Sequence, residues 1–141
     1  MRYKDPMKNA LVTGGCGFLG SSIVRALLDR GVKVRILALP SEPTKNVDGL
    51  DVEIVHGNVL SPQDCLKAVE GMDTVFHAAA IYKAWMPDPT AMYEVNDMGT
   101  FHMLEACRRA GVEKVVYTAS IVAIGRPPEG TLADERTPYD A

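Results

Sequence analysis

The sequence predicts a doubly wound α/β fold built on one parallel sheet. Two observations carry that reading. Short β-branched runs alternate with helix-like segments from residue 8 to residue 118, and a glycine-rich turn joins the first run directly to the first helix-like segment. Such alternation implies right-handed βαβ crossovers and a sheet covered on both faces.

The expected strands are Asn9-Ala10-Leu11-Val12-Thr13, Val32 to Leu37, Val52-Glu53-Ile54-Val55, Thr74-Val75-Phe76-His77 and Val115-Val116-Tyr117-Thr118. The first, fourth and fifth are apolar enough to be buried on both faces. Between the first two strands, Phe18 to Arg30 carries Leu19, Ile23, Ala26 and Leu27 on one helical face and ends at Gly31, where a left-handed residue is cheap. Residues 38–51 hold Pro40, Pro43 and Gly49 and have room for one helical turn at best. Ser61-Pro62-Gln63-Asp64 supplies an N-cap, a proline at the first helical position and a first-turn acid, with Gly71 as the stop. From Thr90 to Ala110, Met92, Val95, Gly99, Met103, Ala106 and Ala110 recur at steps of three and four, and Gly111 ends that helix. Beyond Thr118 regularity fades, and Arg126-Pro127-Pro128-Glu129-Gly130 reads as a loop.

Composition narrows the function classes. The 141 residues suit one domain, read as residues 8–141 behind an N-terminal extension at 1–7. With 15 basic and 18 acidic residues the net charge is −3, and no basic block offers nucleic acid a binding face. Cys16, Cys65 and Cys107 have neither zinc spacing nor the density of a disulfide framework, so they read as reduced thiols of a cytoplasmic protein. No apolar run approaches the roughly 18–20 residues of a membrane span, and the first residues lack a signal-peptide core. His56, His77 and His102 are too widely separated to suggest a metal site.

The strongest local signal is Thr13-Gly14-Gly15-Cys16-Gly17-Phe18-Leu19-Gly20. Glycine at 14 permits a tight turn, at 17 lets backbone approach a pyrophosphate, and at 20 lets helix and sheet pack closely. Free N–H groups and the helix dipole then meet the phosphates. A glycine turn can also be purely structural. Here strand, turn and helix agree, which favours a dinucleotide site.

Preceded by Thr13, the Gly-x-x-Gly-x-x-Gly spacing resembles the extended, epimerase/dehydratase branch of the short-chain dehydrogenase/reductase superfamily, whose cofactor domain is a Rossmann fold. Further matches follow in order: Gly57-Asn58-Val59, Asp73 to Ala80 as "D-x-V-F-H-x-A-A", Asn96-Asp97-Met98-Gly99-Thr100 as "N-V-x-G-T", and Val116 to Ser120. Tyr82 to Pro89 and Gly125 to Glu135 most resemble hopanoid-associated sugar epimerases and dihydroflavonol-reductase-like proteins. The resemblance implies that Thr13, Gly14, Gly17, Phe18, Leu19, Gly20, Asn58, Val59, His77, Ala78, Ala79 and Thr118 contact NAD or NADP. It also implies that Ser120 hydrogen-bonds the reacting oxygen of a nucleotide sugar or a small carbonyl or hydroxy substrate. A turn-capping serine is the alternative for Ser120. Tyr82 and Trp85 are candidate substrate contacts, or ordinary packed loop aromatics. Asn96 reads as a loop anchor through side-chain hydrogen bonds. Cys16, in the turn, is either oxidation-sensitive at a helix N-terminus or inert through burial.

Two departures bear on the cofactor. Asn58 stands where the family has Asp, and Ala38-Leu39-Pro40 offers no acid to the ribose 2′-hydroxyl at the end of the second strand. The latter favours NADP, with Ser41, Thr44 and Lys45 as candidates for a 2′-phosphate. A larger departure concerns chemistry. None of the five tyrosines has a lysine four positions on, so the family's Tyr-x-x-x-Lys proton-transfer pair is missing from these residues. In the family it lies beyond the "A-D-E-x-x-P" loop, here Ala133 to Pro138, and the sequence therefore reads as a cofactor-binding half truncated after about the fifth strand. A non-catalytic dinucleotide-binding or regulatory module is the alternative. An unpaired fifth strand further predicts self-association into a homo-oligomer. The purified 141-residue chain is expected to give no hydride transfer at family-like rates, because a positioned proton donor contributes about 10²–10⁴-fold. Measurable NAD(P)H turnover by this chain would overturn that expectation.

Overall fold

A computed structural model describes residues 7–83, 85–120 and 123–139. Strands β1 (Asn9–Thr13), β2 (Lys33–Ala38), β3 (Val52–His56), β4 (Thr74–His77) and β5 (Lys114–Tyr117) form one parallel sheet in the order β3-β2-β1-β4-β5. The order reverses between β1 and β4, which makes a crevice at the carboxyl ends of those strands. This is the doubly wound Rossmann arrangement.

Helix α1 (Phe18–Leu28) covers one face, where Val24 and Leu27 pack on Ala10, Val12, Val34 and Ile36. Helices α2 (Pro62–Val69) and α4 (Thr100–Ala110) cover the other, where Cys65, Ala68, Met103 and Ala106 meet Leu11, Leu37 and Val75. Alternate residues of β1, β2 and β4 feed the two cores, as strands buried on both sides require. Helix α2 begins as its sequence dictates: the Ser61 hydroxyl accepts from Asp64 N–H at 3.2 Å. At its far end the Arg35 guanidinium donates to Ala68 O at 3.0 Å and Glu70 O at 2.8 Å, occupying carbonyls that have no helical partner. Those bonds matter more than the Arg35–Glu53 ion pair at 2.8 Å, whose glutamate side chain is 57% exposed.

Asp73 ties the strand bases together. One carboxylate oxygen, Oδ2, accepts from the backbone N–H groups of Asn9 and Lys8, at 2.8 and 2.9 Å, and those bonds hold its carboxyl below the usual carboxylate range. All three cysteines are buried and free. Burial pushes the Cys65 and Cys107 thiols up to about 11, and also raises Cys16, which lies in the α1-side core. Cys16 is thus buried by the protein's own core, which suits the inert alternative.

Several expectations need correction. The buried stripe of α1 runs through Gly20, Ser21, Val24 and Leu27; Ala26 is exposed and Leu19 is half-exposed. The reason is that Gly20 packs against the glycine turn and sets the rotation of the whole helix. Strand β2 starts and ends one residue later than expected, β5 one residue earlier, and α1 stops at Leu28. β5 is not buried on both faces: it pairs with β4 along one edge, and Val116 and Tyr117 are exposed. The expected continuous helix from Thr90 to Ala110 is interrupted. It comprises α3 (Thr90–Tyr93), a π-helical segment (Glu94–Gly99) and α4, and Ala110 is exposed. Gly49, Gly71 and Gly111 take positive φ at the ends of their segments, and the 38–51 crossover holds a single 3₁₀ turn at Lys45–Val47. Among the described residues no helix is long and apolar enough to cross a membrane.

Candidate functional site

At the carboxyl end of β1 the backbone folds back on itself. Gly14 takes φ +66, and a Cβ there would lie 2.9 Å from Ala79 N and 3.0 Å from Ala78 O. Its carbonyl accepts from Gly17 N–H at 3.0 Å. A Cβ on Gly20 would stand 2.0 Å from that same carbonyl, so only glycine lets α1 start so close to the turn. Gly17 is the N-cap and offers no side chain to the helix. The first bond into α1 runs from Ser21 N–H to Gly17 O at 2.9 Å, which leaves the Phe18, Leu19 and Gly20 N–H groups without helical acceptors.

This turn opens onto a cleft of about 660 Å³. Gly14, Gly17, Phe18, Leu19 and Gly20 form one wall, Leu37, Leu39 and Glu42 a second, Gly57, Asn58 and Val59 a third, and Ala78 to Tyr82 with Val95 a fourth. Phe18 and Tyr82 stand at its rim, each more than nine-tenths exposed. Asn58 closes a local turn, its Oδ1 accepting from Leu60 N–H at 2.9 Å while its own N–H donates to Asp64 Oδ2 at 2.9 Å. Another hollow, of about 600 Å³, opens beside Arg35 and Glu53 at the opposite end of the strands. Ligands of open α/β sheets bind at the carboxyl ends, which singles out the first.

Beneath the fourth wall lies a buried relay. Thr100 Oγ1 donates to Asn96 O at 2.7 Å, so at 3.1 Å from His77 Nε2 it can only accept, which puts the imidazole proton on Nε2. Nδ1 is then an acceptor, and Thr13 Oγ1 donates to it across 2.7 Å while accepting from Ala79 N–H at 3.1 Å. Asn96 closes the circuit, accepting from Ile81 N–H at 2.8 Å and donating to Ile81 O at 2.9 Å. Both ends of the Ala79–Ile81 wall are thereby pinned, as the anchoring reading of Asn96 expects. Burial lowers the His77 pKa to about 4, and its ring stacks on Tyr117 with centroids 5.7 Å apart.

The structure distributes the residues singled out from sequence unevenly. Gly14, Gly17, Phe18, Leu19, Gly20, Asn58, Val59, Ala78, Ala79 and Tyr82 line the cleft. Thr13 and His77 are buried below it and contribute positioning rather than surface. Thr118, Ser120 and Trp85 lie outside the lining and are exposed. Thr118 N–H extends the β4–β5 ladder to His77 O at 3.1 Å. Of the 2′-phosphate candidates, Ser41, Thr44 and Lys45 are all absent from the walls, and the Thr44 hydroxyl donates to Asp48 at 3.1 Å. Gly57 and Ala80 fall within the two motifs quoted for the cofactor, whereas Leu37, Leu39, Glu42, Ile81 and Val95 were not anticipated as lining residues. Leu39 and Glu42 arrive through a turn after β2 that no periodicity signals. Among the described residues no group of three His, Cys, Asp or Glu could hold a metal ion.

A family model described as the 3-beta hydroxysteroid dehydrogenase/isomerase family matches residues 11–141. The chain is 40% identical over 124 residues to a dihydroflavonol 4-reductase-like protein of Synechocystis, covering 88% of this chain and 36% of that protein. It is 39% identical over 127 residues to sterol demethylase protein B of Methylococcus capsulatus, covering 90% and 39%. Its fold superposes on the UDP-glucose 4-epimerase of Thermus thermophilus, a complex with NAD, with a TM-score of 0.80 and 38% identity, covering 94% of this chain and 44% of that one. The chain thus spans well under half the length of these relatives.

The neutral His77 makes stability depend on pH in a defined direction. Between pH 6.5 and about 4 the unfolded chain binds a proton that the folded chain rejects. Stability from this group is complete above pH 6.5 and declines as pH falls toward 4, by up to about 3 kcal/mol. Urea unfolding across that range is expected to show the decline, and His77→Gln to flatten it. Equal slopes for the two proteins would refute the neutral buried assignment.

Proposed function

The chain belongs to the 3-beta hydroxysteroid dehydrogenase/isomerase family, and from that membership and the cleft we propose that it is the cofactor-binding part of an NAD(P)-dependent oxidoreductase or epimerase. The observation that carries this reading is the glycine turn, where three amide N–H groups and a helix dipole face a cleft that any Cβ at Gly14 or Gly20 would distort. A diphosphate fits that donor set. At the third wall Val59 N–H has no partner among the described residues and is available to an adenine nitrogen, as is the Asn58 amide nitrogen. Ala78 to Ile81 then floor the nicotinamide end, held by the relay. When bound, the nicotinamide supplies hydride exchange with a substrate hydroxyl or carbonyl.

For the reaction itself, Ser120, just beyond β5, is the hydroxyl proposed to hold the reacting oxygen. Thr118 is the proposed further contact to the cofactor, and Tyr82 and Trp85 are the proposed contacts to substrate. The relatives' names include sterol and UDP-sugar enzymes, so the proposed substrate class is a small molecule carrying a secondary hydroxyl or its ketone, a nucleotide sugar included. The second reading, dinucleotide binding without turnover, is favoured by one observation: these 141 residues contain no Tyr-x-x-x-Lys. Three buried free thiols suit a reducing compartment, and the cytoplasm is the proposed location.

Calorimetric titration of the chain with NAD and NADP tests the site. Binding is expected, and Gly17→Val is expected to weaken it at least about tenfold by placing a branched side chain at the phosphate approach; φ −77 and ψ 178 admit a side chain, but its Cβ would lie 3.3 Å from Gly14 O, so thermal melting must show that the variant still folds. Absence of affinity for either dinucleotide would sink the proposal. The apolar surface left by Val116, Tyr117, Phe101 and Leu104 is proposed to be covered by a second copy. Light scattering is expected to report a dimer or larger species, and a stable monomer would count against it.

A further inference from the structure

We infer that Glu42 sets the cofactor preference, its carboxylate accepting from the adenosine ribose 2′-hydroxyl of NAD and repelling the 2′-phosphate of NADP. This rests on the proposal that the cleft takes a nicotinamide dinucleotide. Sequence position argues against such a role, because Glu42 lies four residues beyond the end of β2. A turn cancels that offset. Glu42 N–H donates to Leu39 O at 3.0 Å, and Leu39 N–H donates back to Glu42 Oε2 at 3.2 Å, folding the carboxylate onto the strand end. Its other oxygen, Oε1, has no partner among the described residues and keeps its lone pairs for a ligand.

Charge supports the assignment. Glu42 is the single charged residue among the described residues that line the cleft, and no Lys, Arg or His shares the walls with it. Lys45 lies outside the lining, and two further cations are committed elsewhere. Arg25 donates to Asn46 O at 2.8 Å, and Arg35 sits on the α2 side, held by Glu53 and two helix carbonyls. A 2′-phosphate at Glu42 would add about two negative charges beside an existing one with no counter-ion, whereas a hydroxyl would donate to it. An NAD preference set by Glu42 opposes the NADP preference suggested by the missing acid at Ala38–Leu39, and the titration decides between them.

The test is calorimetric titration of the 141-residue chain and its Glu42→Gln and Glu42→Arg variants with NAD and with NADP, each protein checked by thermal melting. NAD is expected to bind at least about tenfold more tightly than NADP to the unaltered chain. Glu42→Gln is expected to cut that ratio to near one, mainly by improving NADP, and Glu42→Arg to invert it. Should the arginine variant fail to fold, the glutamine variant decides alone. Equal or tighter binding of NADP by the unaltered chain, or an unchanged ratio in Glu42→Gln, would overturn the inference while leaving the dinucleotide site standing. Failure of both dinucleotides to bind would instead remove the proposed function, and this inference with it.

Discussion

The Thr13–His77–Thr100 relay joins three elements that have no covalent continuity: β1, β4 and the first turn of α4. Its bond directions are all determined once Thr100 donates to Asn96 O, because each hydroxyl and the imidazole then has one donor and one acceptor role left. A buried polar chain of this kind is costly when broken and specific when complete. It is complete here; among the described residues no buried side-chain nitrogen or oxygen lacks a partner. The chain starts at Ala79 N–H and returns to Ile81 through the Asn96 side chain, so it specifies the backbone of one cleft wall. Shape at the surface is fixed by groups that lie largely beneath it.

The π-helical segment belongs to the same device. An extra residue per turn advances the phase of the helix, so that Asn96 can reach Ile81 while Thr100 reaches His77. Gly99 makes the approach possible, since a Cβ there would come within 2.8 Å of Val59 Cγ2. Through that contact the helix bearing the relay also abuts the wall formed by Gly57, Asn58 and Val59. Two walls of the cleft are thus positioned by one helix, and the opposite wall by the glycine turn against Ala78 and Ala79.

Much of this was legible in the sequence, and the remainder has physical reasons for being hidden. Strand β1, the glycine turn, the Ser61 cap and the Gly111 stop are local signals, each set by residues within one turn of one another. The burial of His77 is legible in principle, because it shares strand parity with Val75, which packs under α2 and α4. A resemblance that places it beside a cofactor obscures that parity. The π segment was not legible, since Met92, Val95 and Gly99 satisfy an ordinary helical period and only the contact of Gly99 with Val59 shows where the helix must be wound differently. Glu42 escaped for a related reason: spacing along the chain measures residues, and the turn at Leu39–Glu42 shortens the path in space.

One consequence ties the cleft to the open side of the sheet. Leu37, Thr13, His77 and Tyr117 are successive register partners, so they form the last row of the sheet on the face carrying α2 and α4. His77 is bonded along that row to Thr13 and stacked on Tyr117, and its backbone carbonyl accepts from Thr118 N–H. The position of the segment leading to Ser120 is therefore referred to the same imidazole that sets the cleft wall. β5 has few other constraints, since it pairs on one side and is largely exposed. Loosening His77 would disturb the wall it bonds and the Tyr117 ring it stacks on, while the backbone ladder to β4 would still hold the edge strand. The Tyr117 ring covers one face of an imidazole whose pKa burial holds low.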